Sequence, residues 1–465
     1  MTSSRRSSRR SFLRSSAATG LVSGFSLGAA SRAAHAGDGL HLATFRFDAT
    51  PPLGHGCCGG WIRPVEAIDD PLEGLGIVLL GAGAPVVLCT LDWTGLLNES
   101  HLAWRTGLAA AAGTTPDRVT VHTVHQHNAP LVCAAAQRLL DTQPDLPRSH
   151  DPAFIAATLA RAQDALRAAL PQARRVTHVA GGAAPVRDVA GNRRVSRDPS
   201  GRVTAMRGSS CRDARLIALP EGEIDPNLRT IAYYSGPRKI AACHSYATHP
   251  MSYYGDGRVT ADFPGLARRR LQAQEPDCLH LYFTGCAGDI AAGRYNDGTP
   301  EARRRLTDRI HAGLVAAGSS LRPEPVGALE WRTREVFAEP NPALATGSLR
   351  ELLAPRRDAP VNRMRPAYKL AFLERCGRRQ PFVLSALHLN GLVALHLPAE
   401  PFVSYQLRAQ ELARRPVAVA AYGDCGPWYL PTAAEHPGGG YEVEYAFAAP
   451  GIDDALTTAL RGLLA

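Results

Sequence analysis

Residues 118–130 read RVTVHTVHQHNAP, Arg118 to Pro130. The β-branched, alternating run of Val119, Thr120, Val121, Thr123 and Val124 predicts a strand, and Asn128, Ala129 and Pro130 mark the loop that ends it. That strand delivers His125 and His127 to the end of a sheet. On an extended chain, residues two apart face the same side, which lets one metal ion meet two imidazoles. His122 falls on the opposite face and is expected to be structural. Two ligands do not make a zinc site, so the rest of the chain decides what the pair is for.

Upstream, residues 41–52 alternate like a first strand, and the glycine-rich 53–60 segment (LGHGCCGG) can approach a ligand closely. Residues 76–80 and 85–92 read as strands that end at Asp92, 96–112 as a helix, and then comes the His125 strand: one strand, helix, strand unit. Downstream, 152–170 is an alanine-rich helix, and 184–212 is an arginine-rich loop or hairpin around Asp198-Pro199-Ser200-Gly201 whose arginines should be mostly solvated. Strands at 229–234 and 238–245, a helix at 262–274 and a strand at 279–284 repeat the unit, leading past His249 to Asp289. A helix at 301–318 and a strand at 326–337 follow. Residues 339–380 read as an insertion over one face, with a helical patch at 367–375. A hairpin of 382–387 and 391–397, a helix at 405–415 and a strand at 417–422 make the third unit and deliver Glu400 and Tyr429.

Each unit places polar residues just past strand ends: Asp92 with His125, His249 with Asp289, Glu400 with Tyr429. Ligands gather at the carboxyl ends of strands in α/β sheets, which argues for one shared site. The expected fold is α/β, with layered mixed β-sheets flanked by helices and the site at strand C-terminal ends.

The 465 residues are 45% hydrophobic and 20% charged, enough for a large core. Arg9, Arg10, Phe12 and Leu13, a mild apolar run to Leu27, and Ala34-His35-Ala36 describe a twin-arginine export signal over residues 1–36, leaving a catalytic domain of residues 37–465 in the periplasm or secreted. Removing that segment takes away six arginines and no acids, so the formal charge falls from +10 to +4. Lys239 and Lys369 are the two lysines, and no basic cluster is interleaved with aromatics, which excludes nucleic acid as the expected partner. No later segment approaches 18 uninterrupted apolar residues, so no membrane span is expected after cleavage. The ten cysteines contain no C-x-x-C pair; they fit either one or two disulfides or buried, reduced thiols. The pattern leaves the oligomeric state open.

His125, His249 and Glu400 are two imidazoles and a carboxylate from separate segments, the set that catalytic zinc hydrolases use while leaving a position for water. Tyr429 can fill or border the fourth position.

These residues resemble the neutral, alkaline non-lysosomal ceramidases, which are zinc-dependent amidases. Their H-T-H-S-G-P segment is similar to His125-Gln126-His127-Asn128-Ala129-Pro130, and their second histidine segment to His249-Pro250-Met251-Ser252. Their G-D-V-S-P segment resembles Gly288-Asp289-Ile290-Ala291-Ala292, and L-P-G-E resembles Leu397-Pro398-Ala399-Glu400. Y-V-T-T, followed by a further tyrosine, resembles Tyr429-Leu430-Pro431-Thr432 and then Tyr441. The resemblance covers about residues 40–450. It implies zinc held by His125, His249, Glu400 and Tyr429, with His127 and Tyr441 facing the scissile carbonyl and Arg193 near the substrate. The implied chemistry is attack of metal-activated water on an amide carbonyl, with Asp289 as a candidate proton shuttle. The serine of the G-D-V-S segment is Ala291 here, and the immunoglobulin-like domain that the family carries after this region is not part of the chain. Both departures point away from ceramide itself, towards another small-molecule or lipid-like substrate. Two alternatives are a metal-dependent esterase or other hydrolase on the same scaffold, and an exported binding protein without turnover.

Overall fold

The computed structural model describes residues 39–253, 255–355 and 357–465; the expected export signal at residues 1–36 lies outside them. The alternating run at Val119–Thr123 is the edge of a five-stranded sheet, in the order Val119–Thr123, Val86–Leu91, Glu73–Leu80, His41–Asp48, Arg174–Arg175. Its neighbours along the chain pair antiparallel, but Val86–Leu91 and Val119–Thr123 run parallel, joined by the helix Glu99–Ala112. A parallel pair needs such a crossover.

The same construction recurs twice. In a second five-stranded sheet, Arg238–Tyr246 and Leu279–Thr284 are parallel and linked by the helix Asp262–Gln274. In a four-stranded sheet, Leu392–His396 and Val417–Ala420 are parallel and linked by Val403–Ala413. The molecule is thus an α/β fold of mixed sheets flanked by helices. The three crossover strands end against one another: the Thr123 amide donates to Tyr422 O at 2.9 Å, the Ala421 amide to Thr284 O at 2.8 Å, and the Thr284 hydroxyl to Val124 O at 2.6 Å. That junction brings three distant loops to one place.

Helices begin where the local sequence can satisfy their first amides. Asp151 accepts from the Ala153 amide and Thr299 from the Ala302 amide, each with proline in the next position. Among the described residues no helix is long and apolar enough to cross a membrane.

Two expectations change. Residues 339–380 are more helical than the patch at 367–375, with helices at Thr346–Leu353 and Pro360–Gly377. The second helix is core rather than an outer cover, because Met364, Tyr368 and Phe372, spaced by four, bury one face completely. All ten cysteines are free, eight of them buried, so the reduced-thiol alternative holds.

Candidate metal centre

The strand ends at Thr123, and His125 turns into the left-handed region at φ 73°. Its Nδ1 donates to Thr94 O at 2.7 Å, and its ring stacks on Tyr422 at 4.2 Å. His127 Nε2 stands 3.3 Å from His125 Nε2. The two imidazoles meet, as their spacing suggested, but through this turn rather than through extended alternation, because the chain has already left the sheet.

His249 follows the second hairpin strand. Its amide donates to Ile290 O at 3.0 Å and its Nδ1 to Ala287 O at 2.6 Å, and the residue is fully buried. Glu400 comes off the third sheet, its amide donating to Trp428 O at 2.9 Å, in a short parallel pairing with Tyr429. One carboxylate oxygen, Glu400 Oε2, lies 3.1 Å from His125 Nε2 and 3.1 Å from His249 Nε2.

These contacts bear on whether a cation fits. A carbonyl can only accept, so both Nδ1 atoms carry the ring proton and both Nε2 atoms turn a lone pair towards the carboxylate. Burial, helped by the nearby Arg193 charge, pushes His249 down to about 4, so it is neutral at pH 7. His249 Nε2 and Glu400 Oε2 are buried and receive no hydrogen bond among the described residues. Three acceptors facing one another need a positive centre. Bonds of about 2.0–2.1 Å in a tetrahedral zinc site separate the donors by about 3.3 Å, close to what is found here. The donor set therefore fits zinc. His125, His127 and His249 also form a group whose ligand atoms lie within 4.8 Å of one another.

His125, His127 and Glu400 open on a cavity of about 60 Å³, walled by Cys58, Trp61, Leu131, Trp428, Tyr429 and Tyr441. Tyr429 stacks on His249 at 6.4 Å, and Tyr441 meets Tyr429 edge-on at 5.7 Å. Burial raises the hydroxyl pKa of both. Arg193 lies behind this wall rather than in the cavity. Its guanidinium sits 5.2 Å from the Tyr429 ring and donates to Glu442 Oε1 and Gly288 O, both at 2.7 Å. Of the arginines in 184–212, Arg187, Arg197, Arg202 and Arg212 are exposed, as the sequence suggests, but Arg193, Arg194 and Arg207 are buried. Glu442 explains the first two, since its other oxygen takes Arg194 at 2.6 Å. Ion pairing is what lets guanidinium groups sit inside a protein.

Asp289 is brought near but not into the cavity. Its oxygens accept from the Val403 amide at 2.8 Å and from Asn192 at 2.9 Å, and burial pushes its carboxyl up to about 7. Gly288 beside it has no room for a side chain: a Cβ would lie 2.3 Å from Glu400 O. Asp92, paired by the sequence with His125, instead faces Arg269 at 3.5 Å and Arg268 at 3.8 Å. Ala291, standing where the resembling segment has serine, is buried and pairs with Gly191.

Sequence reading missed Thr94, Tyr422, Trp61, Trp428 and Glu442. Only the glycine-rich 53–60 segment signalled a close approach, and it supplies Cys58. A further signature is conformational: Cys58, His125, Ala399, Tyr422 and Trp428 all have positive φ, between 46° and 73°. Strain of this kind concentrates at functional sites.

No family model matches the chain, and no curated protein matches its sequence. Solved structures do. A ceramidase described as complexed with C2 superposes with a TM-score of 0.66 at 15% identity, over 92% of this chain and 75% of its own. Neutral ceramidase from Pseudomonas aeruginosa gives a TM-score of 0.65 at 15% identity, over 92% and 74%. The chain has a ceramidase-like fold.

Proposed function

We propose that the protein is an exported, zinc-dependent hydrolase of amide bonds. The observation that carries this reading is the pair of 3.1 Å contacts from Glu400 Oε2 to the Nε2 atoms of His125 and His249. His125, His249 and Glu400 hold the ion, with Tyr429 at the fourth side. Bound there, zinc supplies Lewis-acid polarisation of a carbonyl and a water of lowered pKa.

The remaining work belongs to the chain's own residues. Thr94 O and Ala287 O fix the ring tautomers, which keeps both Nε2 atoms available. Tyr441 and His127 border the same space and act as hydrogen-bond donors to a developing oxyanion. Arg193 acts through Tyr429, since its guanidinium sits 5.2 Å from that ring and braces it from behind. Asp289 fixes the loop that carries Glu400 through its bond to the Val403 amide. The aromatic walls exclude water and favour an acyl or other apolar group beside the scissile bond. Residues 1–36 serve as the twin-arginine signal, and 37–465 as the catalytic domain of a periplasmic or secreted enzyme.

Ala291 favours a second reading, an exported binding protein that keeps the ion without turnover. The test uses residues 37–465 purified without added metal. Elemental analysis should give zinc at this site, removed by His125→Ala or Glu400→Ala together with hydrolysis of an N-acyl panel. His127→Ala should keep the ion and lose turnover. Amides cleaved over esters support the amidase; ion bound with no turnover on either panel supports the binding protein; turnover without any metal overturns both.

A further inference from the structure

A second cluster of metal-ligating side chains lies where the helix Asp262–Gln274 turns into the strand Leu279–Thr284. Glu275, Cys278 and His280 each offer one ligand atom there, all within 4.8 Å of one another. Cys278 and His280 are buried, His280 completely. His280 Nε2 stands 3.2 Å from Glu275 Oε2, yet it has no hydrogen bond of acceptable geometry among the described residues. The ring is also held from behind. His280 Nδ1 lies 3.0 Å from His244 Nε2, and His244 Nδ1 lies 2.8 Å from the Thr230 hydroxyl. With protons running from His280 to His244 to Thr230, this chain leaves His280 Nε2 as a bare lone pair, the arrangement that orients metal-bound histidines.

An ordinary ion pair explains part of the cluster, because the Lys239 ammonium lies 2.5 Å from Glu275 Oε2. It does not explain why a buried imidazole and a buried thiol converge on the same carboxylate. We propose that Glu275, Cys278 and His280 are a second metal site, which takes a divalent transition ion, zinc by the softness of its donors, in competition with Lys239. One oxygen, one nitrogen and one sulfur form the mixed set that zinc accepts, and three protein ligands leave a fourth position for water.

Cobalt(II) titrated into the metal-stripped chain tests this directly, since a thiolate ligand adds an intense charge-transfer absorption that imidazole and carboxylate donors lack. The absorption is expected in the wild type and in His125→Ala, lost in Cys278→Ser and weakened in His280→Gln, with folding checked by circular dichroism. Its persistence in His125→Ala separates this site from the one proposed for catalysis. Lys239→Met, which removes the competing charge, should tighten cobalt binding by about tenfold. No thiolate absorption in the wild type, or an absorption that survives Cys278→Ser, would overturn the proposal; so would a Lys239→Met variant with unchanged affinity.

Discussion

Asp289 accepts the amide of Val403 at 2.8 Å, which caps the helix that begins three residues after Glu400. Through its other oxygen it also holds Asn192, next to Arg193. Asp289→Ala should cost about 1–2 kcal/mol in urea unfolding, the usual range for a lost cap. The pH dependence has a definite sign. The folded carboxyl titrates at about 7, the unfolded one near 3.9. Between these values the folded state binds more protons, so this group's contribution falls as pH rises from about 4 to 7. Asp289→Asn removes that fall, and the difference between variant and wild type, measured across this window, should slope accordingly.

Glu442 is shared by Arg193 at 2.7 Å and Arg194 at 2.6 Å, and all three are buried. Glu442→Gln leaves two guanidinium groups without their common partner. Breaking a buried pair in this way costs about 3–5 kcal/mol. The expected outcome is a lowered urea midpoint. If enough protein folds to assay, kcat should fall more than KM rises, since Tyr441 is the adjacent residue and Tyr429 rests on Arg193.

Acid should unfold the protein through histidines outside the centre. Burial pushes His101, His150 and His396 down to about 4. Unfolded imidazole titrates near 6.5, so from pH 6.5 to about 4 the unfolded state binds more protons. The stability these groups contribute is complete above pH 6.5 and is lost as pH falls through this window, by up to about 3 kcal/mol for each. Denaturant titrations at pH 7, 6, 5 and 4 should show a steepening loss. Replacing His150 by Gln should flatten it.

Ala399 occupies φ 62° with its side chain fully buried. An L-residue there carries about 1–2 kcal/mol of strain, while glycine adds about 0.5–1 kcal/mol of unfolded-state entropy. Losing the buried methyl costs about 0.8 kcal/mol more, so the terms nearly cancel and Ala399→Gly should leave the melting temperature almost unchanged. The resembling L-P-G-E segment carries glycine in this place.

The strand, helix, strand units were legible because their periods are strong and local: the expected helix at 262–274 and strand at 279–284 are found with the same bounds. Polar residues past strand ends were legible too, because parallel strands send their loops one way. What could not be read was long-range. The burial of Arg193 depends on Glu442, 249 positions away, and no window around a run of arginines contains that partner. The left-handed turn at His125 was equally hidden, since nothing in a histidine announces positive φ. Asp92 misled for a related reason: its arginine partners sit on a helix in another unit.

The three strand ends that bind one another through Thr123, Thr284 and Ala421 have a kinetic consequence. Each contributes contacts between segments far apart in the chain, and such contacts form late because loop closure must come first. His125, His249 and Glu400 depend on that junction, so no partly folded chain can assemble the full donor set. An ion held there would enter after folding and act as a seal on a finished molecule, slowing its unfolding without having guided its assembly.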